Sequence, residues 1–220
     1  MGNQPSRPFQ EELHQQVQRV SEILPNIFLT SRQTAKKYEI YSIYNIGAVL
    51  SLTTNIINYP DGVIYKHVYM QDSYFFLLSK SLNESICFIN EMISQNKNVL
   101  VHCEVGMSRS ASIVIAFLMK QNNWMFKDAF TFCKEKRNIV CPNPGFIMQL
   151  YEFQLKQCNV EDSKSNLLFI KDLLNSSNKL YREIPTYSLW NEFIENDFDY
   201  EKTIKNIARN NNSFTNNPNL

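Results

Sequence analysis

The stretch VHCEVGMSRSAS, residues 101–112, constrains the fold of this chain more than any other. It joins a short β-branched run to an almost wholly apolar run, residues 113–119, so it predicts a strand followed by a buried helix. Residues 103–109 would then form a loop whose N–H groups converge in front of the positive end of the helix dipole. Because such a nest binds anions, the sequence predicts an anion site at a strand-to-helix junction.

The loop also carries residues suited to chemistry on a phosphate. A free thiol, with a pKa of about 8.5, is mostly protonated at neutral pH, but a helix N-terminus and a nearby guanidinium favour the thiolate. Cys103 and Arg109 supply these two groups, and Gly106 permits the tight curvature that the loop needs. Arginine presents a planar fork that binds two oxygens of a phosphate. We therefore expect phosphoryl transfer to sulfur.

The rest of the chain from residue 23 to about 157 alternates between strand-like and helix-like patterns. Short runs rich in β-branched and aromatic residues predict strands, and longer amphipathic runs predict helices. This alternation indicates an α/β fold with three layers. The predicted strands are 27–29, 48–52, 63–69 and 99–101, and the predicted helices are 81–94, 113–119, 124–137 and 146–155.

Composition excludes several other classes of protein. A formal net charge of +1 gives no bulk reason to expect a nucleic-acid partner. The five cysteines are odd in number and scattered, which favours reduced thiols in the cytoplasm over a disulfide framework. Their spacing does not indicate a metal site, and no cofactor is expected. The cysteines other than Cys103, namely Cys87, Cys133, Cys141 and Cys158, are expected to be small buried hydrophobic residues.

The loop resembles the signature of a known family. HCEVGMSRS, residues 102–110, is similar to the H-C-x-x-G-x-x-R-S motif of the cysteine-dependent protein tyrosine phosphatases, and specifically of their atypical dual-specificity branch. The likeness covers about residues 20–157, including LPNIFL at 24–29, AVLSL at 48–52 and PNPGFIMQL at 142–150. It implies a three-layer phosphatase fold, a central mixed sheet flanked by helices, over residues 21–158.

The resemblance also implies a two-step reaction and a role for each site residue. Cys103 would attack phosphorus, a general acid would protonate the leaving group, and water would hydrolyse the phosphocysteine. Asp72, 31 residues before the nucleophile (103 − 72), is the favoured acid, and Glu84 is a distant second because it falls within a helical stripe. Ser110 would hydrogen-bond the sulfur and ease its departure. The phosphate-binding set is Glu104, Val105, Gly106, Met107, Ser108 and Arg109.

Two flanking residues have supporting parts in this interpretation. His102 is expected to support the cysteine through hydrogen bonds and not to act as a base, since its side chain points to the opposite face of the strand. Asn143 is expected, by family analogy, to brace the loop.

The substrate class is implied by the branch. A phosphoprotein is expected, with phosphotyrosine, phosphoserine and phosphothreonine all accepted. Val105 stands where the family commonly has alanine, and the absence of basic residues at 104 and 107 argues against a lipid or RNA phosphatase. A non-catalytic phosphoprotein-binding domain on the same fold and a regulatory scaffold remain as alternatives.

The two ends of the chain differ from the catalytic region. Residues 1–20 are a polar arm whose start, MGNQPS, fits the pattern for N-myristoylation at Gly2. One acyl chain gives only weak, reversible membrane attachment, so a cytoplasmic protein partly at membranes is expected. Residues 159–209 are expected to form a helical extension, with a less favoured likeness to a ubiquitin-associated domain, and the asparagine-rich residues 210–220 to be disordered.

Overall fold

The structure is a computed structural model that describes residue 11, residues 14–158 and residue 196, with side chains described as far as residue 154 in the last helix. The predictions for Gly2, for most of the extension 159–209 and for the tail 210–220 lie outside the described residues. The chain divides into two compact units, residues 1–150 and 151–220, and the contacts below belong to the first. No described helix is long and apolar enough to cross a membrane.

From residue 21 onward, five strands and six helices follow one another along the described chain. In order, they are β1 (Ser21–Leu24), β2 (Ile27–Ser31), α1 (Arg32–Ala35), α2 (Glu39–Ile43), β3 (Ile46–Thr53), β4 (Ile64–Tyr69), α3 (Ser79–Ser94), β5 (Asn98–Cys103), α4 (Arg109–Asn122), α5 (Phe126–Lys136) and α6 (Pro144–Cys158). Asn45, Asn96 and Asn123 follow α2, α3 and α4 in the left-handed region, with φ of 49°, 57° and 53°. Asparagine tolerates this conformation, so each can turn the chain away from its helix.

The sheet is mixed, in the order β1-β2-β5-β3-β4. β2, β5, β3 and β4 are parallel, and β1 pairs antiparallel with β2 at one edge. Ser31 lies opposite Cys103 in the ladder of β2 and β5, so both strands end at the same edge. The carboxyl edge of a parallel sheet is where its loops can gather around a ligand.

Helices cover both faces of this sheet, which confirms the predicted three-layer α/β fold. On one face, Phe28, Val49 and Leu100 pack with α1 and α2 through Ala35 and Ile40. On the other, α3 and α4 contact β3 and β5. Every residue of α4 from Arg109 to Met119 is buried, because α4 lies between the sheet, α3 and α5. This burial explains why the segment lacks a polar face.

Three elements were not predicted. The pattern at 24–29 suggested a single opening strand, whereas the chain turns at Pro25 and Asn26 to form the hairpin of β1 and β2. The short helices α1 and α2, of four and five residues, supply the second helical layer. They are too short for a 3.6-residue period to be recognised in the sequence.

Of the four cysteines expected to be buried, Cys133 is buried, Cys141 is half-buried and Cys87 is exposed, while the side chain of Cys158 lies outside the described residues. Cys87, Cys103, Cys133 and Cys141 are free thiols. Burial raises the pKa of Cys133 to about 12, so that thiol behaves as a small hydrophobic residue. The expectation for Cys87 was wrong: it is exposed, because it lies on the outer face of α3 while Leu82, Ile86 and Ile89 are buried.

Candidate active site

The loop from Cys103 to Arg109 joins β5 to α4 at the carboxyl edge of the sheet. Gly106 has φ of +75°, in the left-handed region that glycine adopts without strain. A Cβ at this position would collide with the carbonyl oxygen of Thr30 and would lie 2.9 Å from Nη2 of Arg137. The curvature and the close packing of the loop therefore both require glycine here.

The sulfur of Cys103 is buried and accepts two hydrogen bonds. The Gly106 N–H donates to it at 3.2 Å, and Ser110 Oγ donates at 3.1 Å. Ser110 is in the first turn of α4, so the sulfur also faces the positive end of a helix of 14 residues. Two donors and the positive end of the helix dipole therefore surround the sulfur.

The guanidinium of Arg109 is held beside the loop by the segment that follows β4. Its Nη1 donates to the carbonyl oxygen of Met70 at 3.3 Å, and its Nε lies 3.8 Å from Asp72 Oδ2. Within the described residues, that Nε makes no hydrogen bond. The fork is therefore fixed in position by one nitrogen while another remains able to bind an oxyanion.

Asp72, the predicted acid, lies beside Arg109 and the loop. Its Oδ1 accepts from Ser108 Oγ at 2.7 Å and from Asn143 Nδ2 at 2.8 Å, while its side chain is 37% exposed. Glu84, the less favoured candidate acid, is on α3 and pairs with Lys66 at 3.5 Å. The structure thus brings Asp72 together with the loop and Arg109, and Glu84 is not among the residues that contact them.

Asn143 contacts both the loop and the segment of Asp72. Its backbone N–H donates to Ser108 Oγ at 3.0 Å, and its Oδ1 accepts from the Phe146 N–H at 3.0 Å. This second bond caps the start of α6. The asparagine therefore fixes the beginning of one helix against the loop and against the carboxylate.

Gln149 anchors the rest of the segment that carries Asp72, a role that no sequence pattern indicated. Its Oε1 accepts from the Leu78 N–H at 2.7 Å, and its Nε2 donates to the carbonyl oxygen of Phe76 at 2.9 Å. Gly145 allows close approach here, since a Cβ there would collide with the carbonyl oxygen of Tyr74.

Arg137 supports the loop from beneath and was also missed as a site residue. It is fully buried, and its Nε and Nη2 donate to the carbonyl oxygens of Gly106 at 2.8 Å and Val105 at 3.2 Å. Its Nη1 donates to the carbonyl oxygens of Gln16 and Arg19, both at 3.0 Å. Burial lowers its pKa to about 10, so it keeps its charge at neutral pH.

His102 is buried on the strand before the nucleophile. Its Nε2 lies 2.8 Å from Tyr59 Oη, and its Nδ1 lies 3.3 Å from the carbonyl oxygen of Cys103. Burial lowers the pKa of His102 to about 4, so the imidazole is neutral at physiological pH. These contacts agree with the expected supporting role.

Val105, Met107 and Glu104 are the remaining members of the predicted phosphate-binding set. Val105 is 38% exposed at the surface of the loop, and Met107 accepts a backbone hydrogen bond from Cys141 at 2.9 Å through its carbonyl oxygen. Glu104 pairs with Arg32 at 3.3 Å. In the described part of the chain, no cluster of His, Cys, Asp and Glu could hold a metal ion.

The site thus places a buried thiol at a helix N-terminus, beside a guanidinium and a carboxylate, which is the arrangement that the resemblance of the loop motif implies. The family described as dual specificity phosphatase, catalytic domain, matches residues 27–156, and the chain belongs to this family.

Individual proteins show the same similarity. Dual specificity protein phosphatase 1-A of Xenopus laevis is 36% identical over 134 residues, which are 60% of this chain and 36% of that protein. The chain therefore spans little more than a third of that relative's length. The crystal structure of DUSP15 matches with a TM-score of 0.60 and 26% identity, over 70% of this chain and 95% of that one. Human tyrosine phosphatase-like serine/threonine/tyrosine-interacting protein matches with a TM-score of 0.58 and 28% identity, over 62% and 96%.

Proposed function

We propose that this chain is a protein phosphatase that hydrolyses phosphotyrosine, phosphoserine and phosphothreonine through a phosphocysteine intermediate. The observation that carries the proposal is the surroundings of the Cys103 sulfur, which accepts hydrogen bonds from the Gly106 N–H and Ser110 Oγ. The family name and the names of the relatives support the acceptance of both classes of phosphoresidue.

In the first step, the phosphoryl group of the substrate lies in the loop, with its oxygens bound by N–H groups and by Arg109. The sulfur attacks phosphorus, an S–P bond forms, and the P–O bond to the substrate breaks. Asp72 gives its proton to the leaving oxygen. Its Oδ1 is occupied by Ser108 and Asn143, so Oδ2, 3.8 Å from Arg109 Nε, is the oxygen we assign to this transfer.

In the second step, water attacks the phosphocysteine, the S–P bond breaks, and inorganic phosphate leaves. Asp72, now deprotonated, accepts a proton from the attacking water. The sulfur departs as a thiolate, which the hydrogen bond from Ser110 Oγ stabilises.

The alternative is a domain that binds phosphoproteins without hydrolysing them. One structural neighbour is named a phosphatase-like interacting protein, so the fold alone does not separate binding from hydrolysis. The retention of Cys103, Arg109 and Asp72 in one site favours hydrolysis.

Turnover of para-nitrophenyl phosphate and of matched phosphotyrosine and phosphoserine peptides tests the proposal. We expect the full chain to hydrolyse all three and Cys103→Ser to hydrolyse none, while still binding the peptides. Cys87→Ser is the matched control, because Cys87 is an exposed thiol on α3, and it should keep full activity. Binding without hydrolysis by the unmodified chain would instead support the phosphoprotein-binding alternative.

The location of the protein is a separate proposal that rests on the sequence. We propose a cytoplasmic protein with weak, reversible membrane attachment through an acyl chain on Gly2. Labelling of cells with an alkyne-tagged myristate should mark the full chain but not its Gly2→Ala variant. The membrane-bound fraction of Gly2→Ala should be smaller than that of the unmodified chain. Equal labelling of the two chains would overturn the assignment.

A further inference from the structure

An ion pair lies beside the nucleophile, at the carboxyl edge of the sheet. Arg32 begins α1 directly after β2, and Glu104 directly follows Cys103. Since Ser31 lies opposite Cys103 in the ladder, Arg32 and Glu104 occupy the next step beyond the strand ends. The Arg32 N–H donates to the Glu104 carbonyl oxygen at 3.1 Å, which continues the pairing by one residue.

The side chains of Arg32 and Glu104 differ in how much of each is accessible to a substrate. Arg32 Nη1 is the donor to both carboxylate oxygens, at 3.3 and 3.5 Å, which is longer than a strong charge-assisted hydrogen bond. The Arg32 side chain is 23% exposed, whereas that of Glu104 is 49% exposed. The carboxylate thus keeps free lone pairs and faces solvent, while the guanidinium lies behind it.

We propose that Glu104 is a specificity-determining residue that selects a basic side chain next to the phosphoresidue, and that Arg32 positions its carboxylate. This inference rests on the proposed phosphatase function. A peptide whose phosphate occupies the loop must place its neighbouring residues near Glu104, the residue that follows the nucleophile. A half-exposed carboxylate attracts a cation and repels an anion by a modest amount, so we expect two- to fivefold effects on kcat/KM.

The experiment compares phosphotyrosine peptides that differ at one position beside the phosphoresidue, which is Lys, Gln or Glu. One set varies the preceding position and another the following position. For the unmodified chain at low salt, kcat/KM should fall in the order Lys, Gln, Glu in at least one set. Raising the salt to about 0.5 M should compress this order, because exposed charges are screened.

Three variants assign the effect to its residue. Glu104→Gln should flatten the order, and Arg32→Gln should steepen it by removing the charge that offsets the carboxylate. Glu84→Gln is the matched control: Glu84 is 46% exposed and also paired with a cation, Lys66 at 3.5 Å, but on α3. It should keep the order of the unmodified chain.

Two results would overturn the inference while leaving the phosphatase function intact. If Glu104→Gln leaves the order of kcat/KM among the peptides unchanged, Glu104 does not select the neighbouring residue. If the unmodified chain prefers the Glu peptide to the Lys peptide, Arg32 binds the neighbouring residue as an anion site. Each protein is first assayed with para-nitrophenyl phosphate, which has no neighbouring residues. Absence of turnover there by the unmodified chain would overturn the proposed function and this inference together.

Discussion

Replacement of Arg137 by methionine should destabilise the protein and distort the catalytic loop. Methionine has a similar length and no donor, so every hydrogen bond of the guanidinium is lost. The carbonyl oxygens of Gln16 and Arg19 keep other partners, the Arg19 N–H at 3.2 Å and Thr30 Oγ1 at 2.9 Å respectively. The principal losses are therefore at Val105 and Gly106, in the loop itself.

The size of the effect follows from these two carbonyl groups. Leaving a buried polar group without its partner costs about 1–3 kcal/mol, which applies in full to the Gly106 carbonyl and only in part to that of Val105, a residue that is 38% exposed. Removal of a buried cation relieves a desolvation penalty, which the lowered pKa of Arg137, about 10, reflects. We therefore expect a net loss of about 1–3 kcal/mol in the free energy of unfolding.

Urea unfolding and steady-state kinetics measure the two consequences. Because the lost bonds hold the loop, kcat/KM for para-nitrophenyl phosphate should fall at least tenfold under conditions where the variant is fully folded. Lys134→Met is a useful control, since its Nζ also donates to backbone carbonyl oxygens, of Asn138 at 3.1 Å and Val140 at 3.0 Å, but away from the loop. A folded Arg137→Met variant with less than 1 kcal/mol of destabilisation and normal kinetics would refute the reasoning.

Three further predictions concern the loop, the acid and the buried histidine. Asp72→Asn should lower kcat by about 10²- to 10⁴-fold on a phosphoserine peptide and by less on para-nitrophenyl phosphate, whose leaving group needs protonation less; equal losses on both would remove Asp72 as the acid. Gly106→Ala should abolish activity and destabilise the fold by more than about 1 kcal/mol, measured by urea unfolding, because of its positive φ and the collision with Thr30. The pKa of His102 is lowered to about 4 by burial, so between about pH 6.5 and 4 the unfolded chain binds a proton that the native state does not. The free energy of unfolding should therefore fall by about 3 kcal/mol as the pH drops through that range. His102→Gln should show a shallower loss over that range in unfolding measured against pH, and an unchanged slope would contradict the assignment.

The parts of the site that could be predicted from sequence are those that the chain makes locally. Cys103, Gly106, Arg109 and Ser110 fall within eight consecutive residues, so a strand-to-helix junction brings them together whatever the rest of the fold does. The role of Asp72 as the acid was predicted from its position in the family pattern, because an isolated aspartate before a serine has no distinguishing local pattern.

The parts that could not be predicted depend on pairs of residues far apart in sequence. Arg137 and Gln16 are 121 residues apart, Arg32 and Glu104 are 72 apart, and Leu78 and Gln149 are 71 apart. A lone arginine or glutamine in an amphipathic segment usually faces solvent, so its type carries no sign of burial. Cys87 differs, since the helical period of its neighbours already placed it on the outer face of α3.

Ser108 shows how these distant contacts determine the geometry of the local loop. Its oxygen accepts from the Asn143 N–H and its O–H donates to Asp72 Oδ1, while Asn143 Nδ2 donates to the same carboxylate oxygen. The three residues therefore form a closed ring of hydrogen bonds between the loop, the segment after β4 and the start of α6. Movement of any one segment breaks bonds to both of the others. The position of the proposed acid relative to the nucleophile is thus set by the hydroxyl of a loop serine, although the signature motif leaves that position variable.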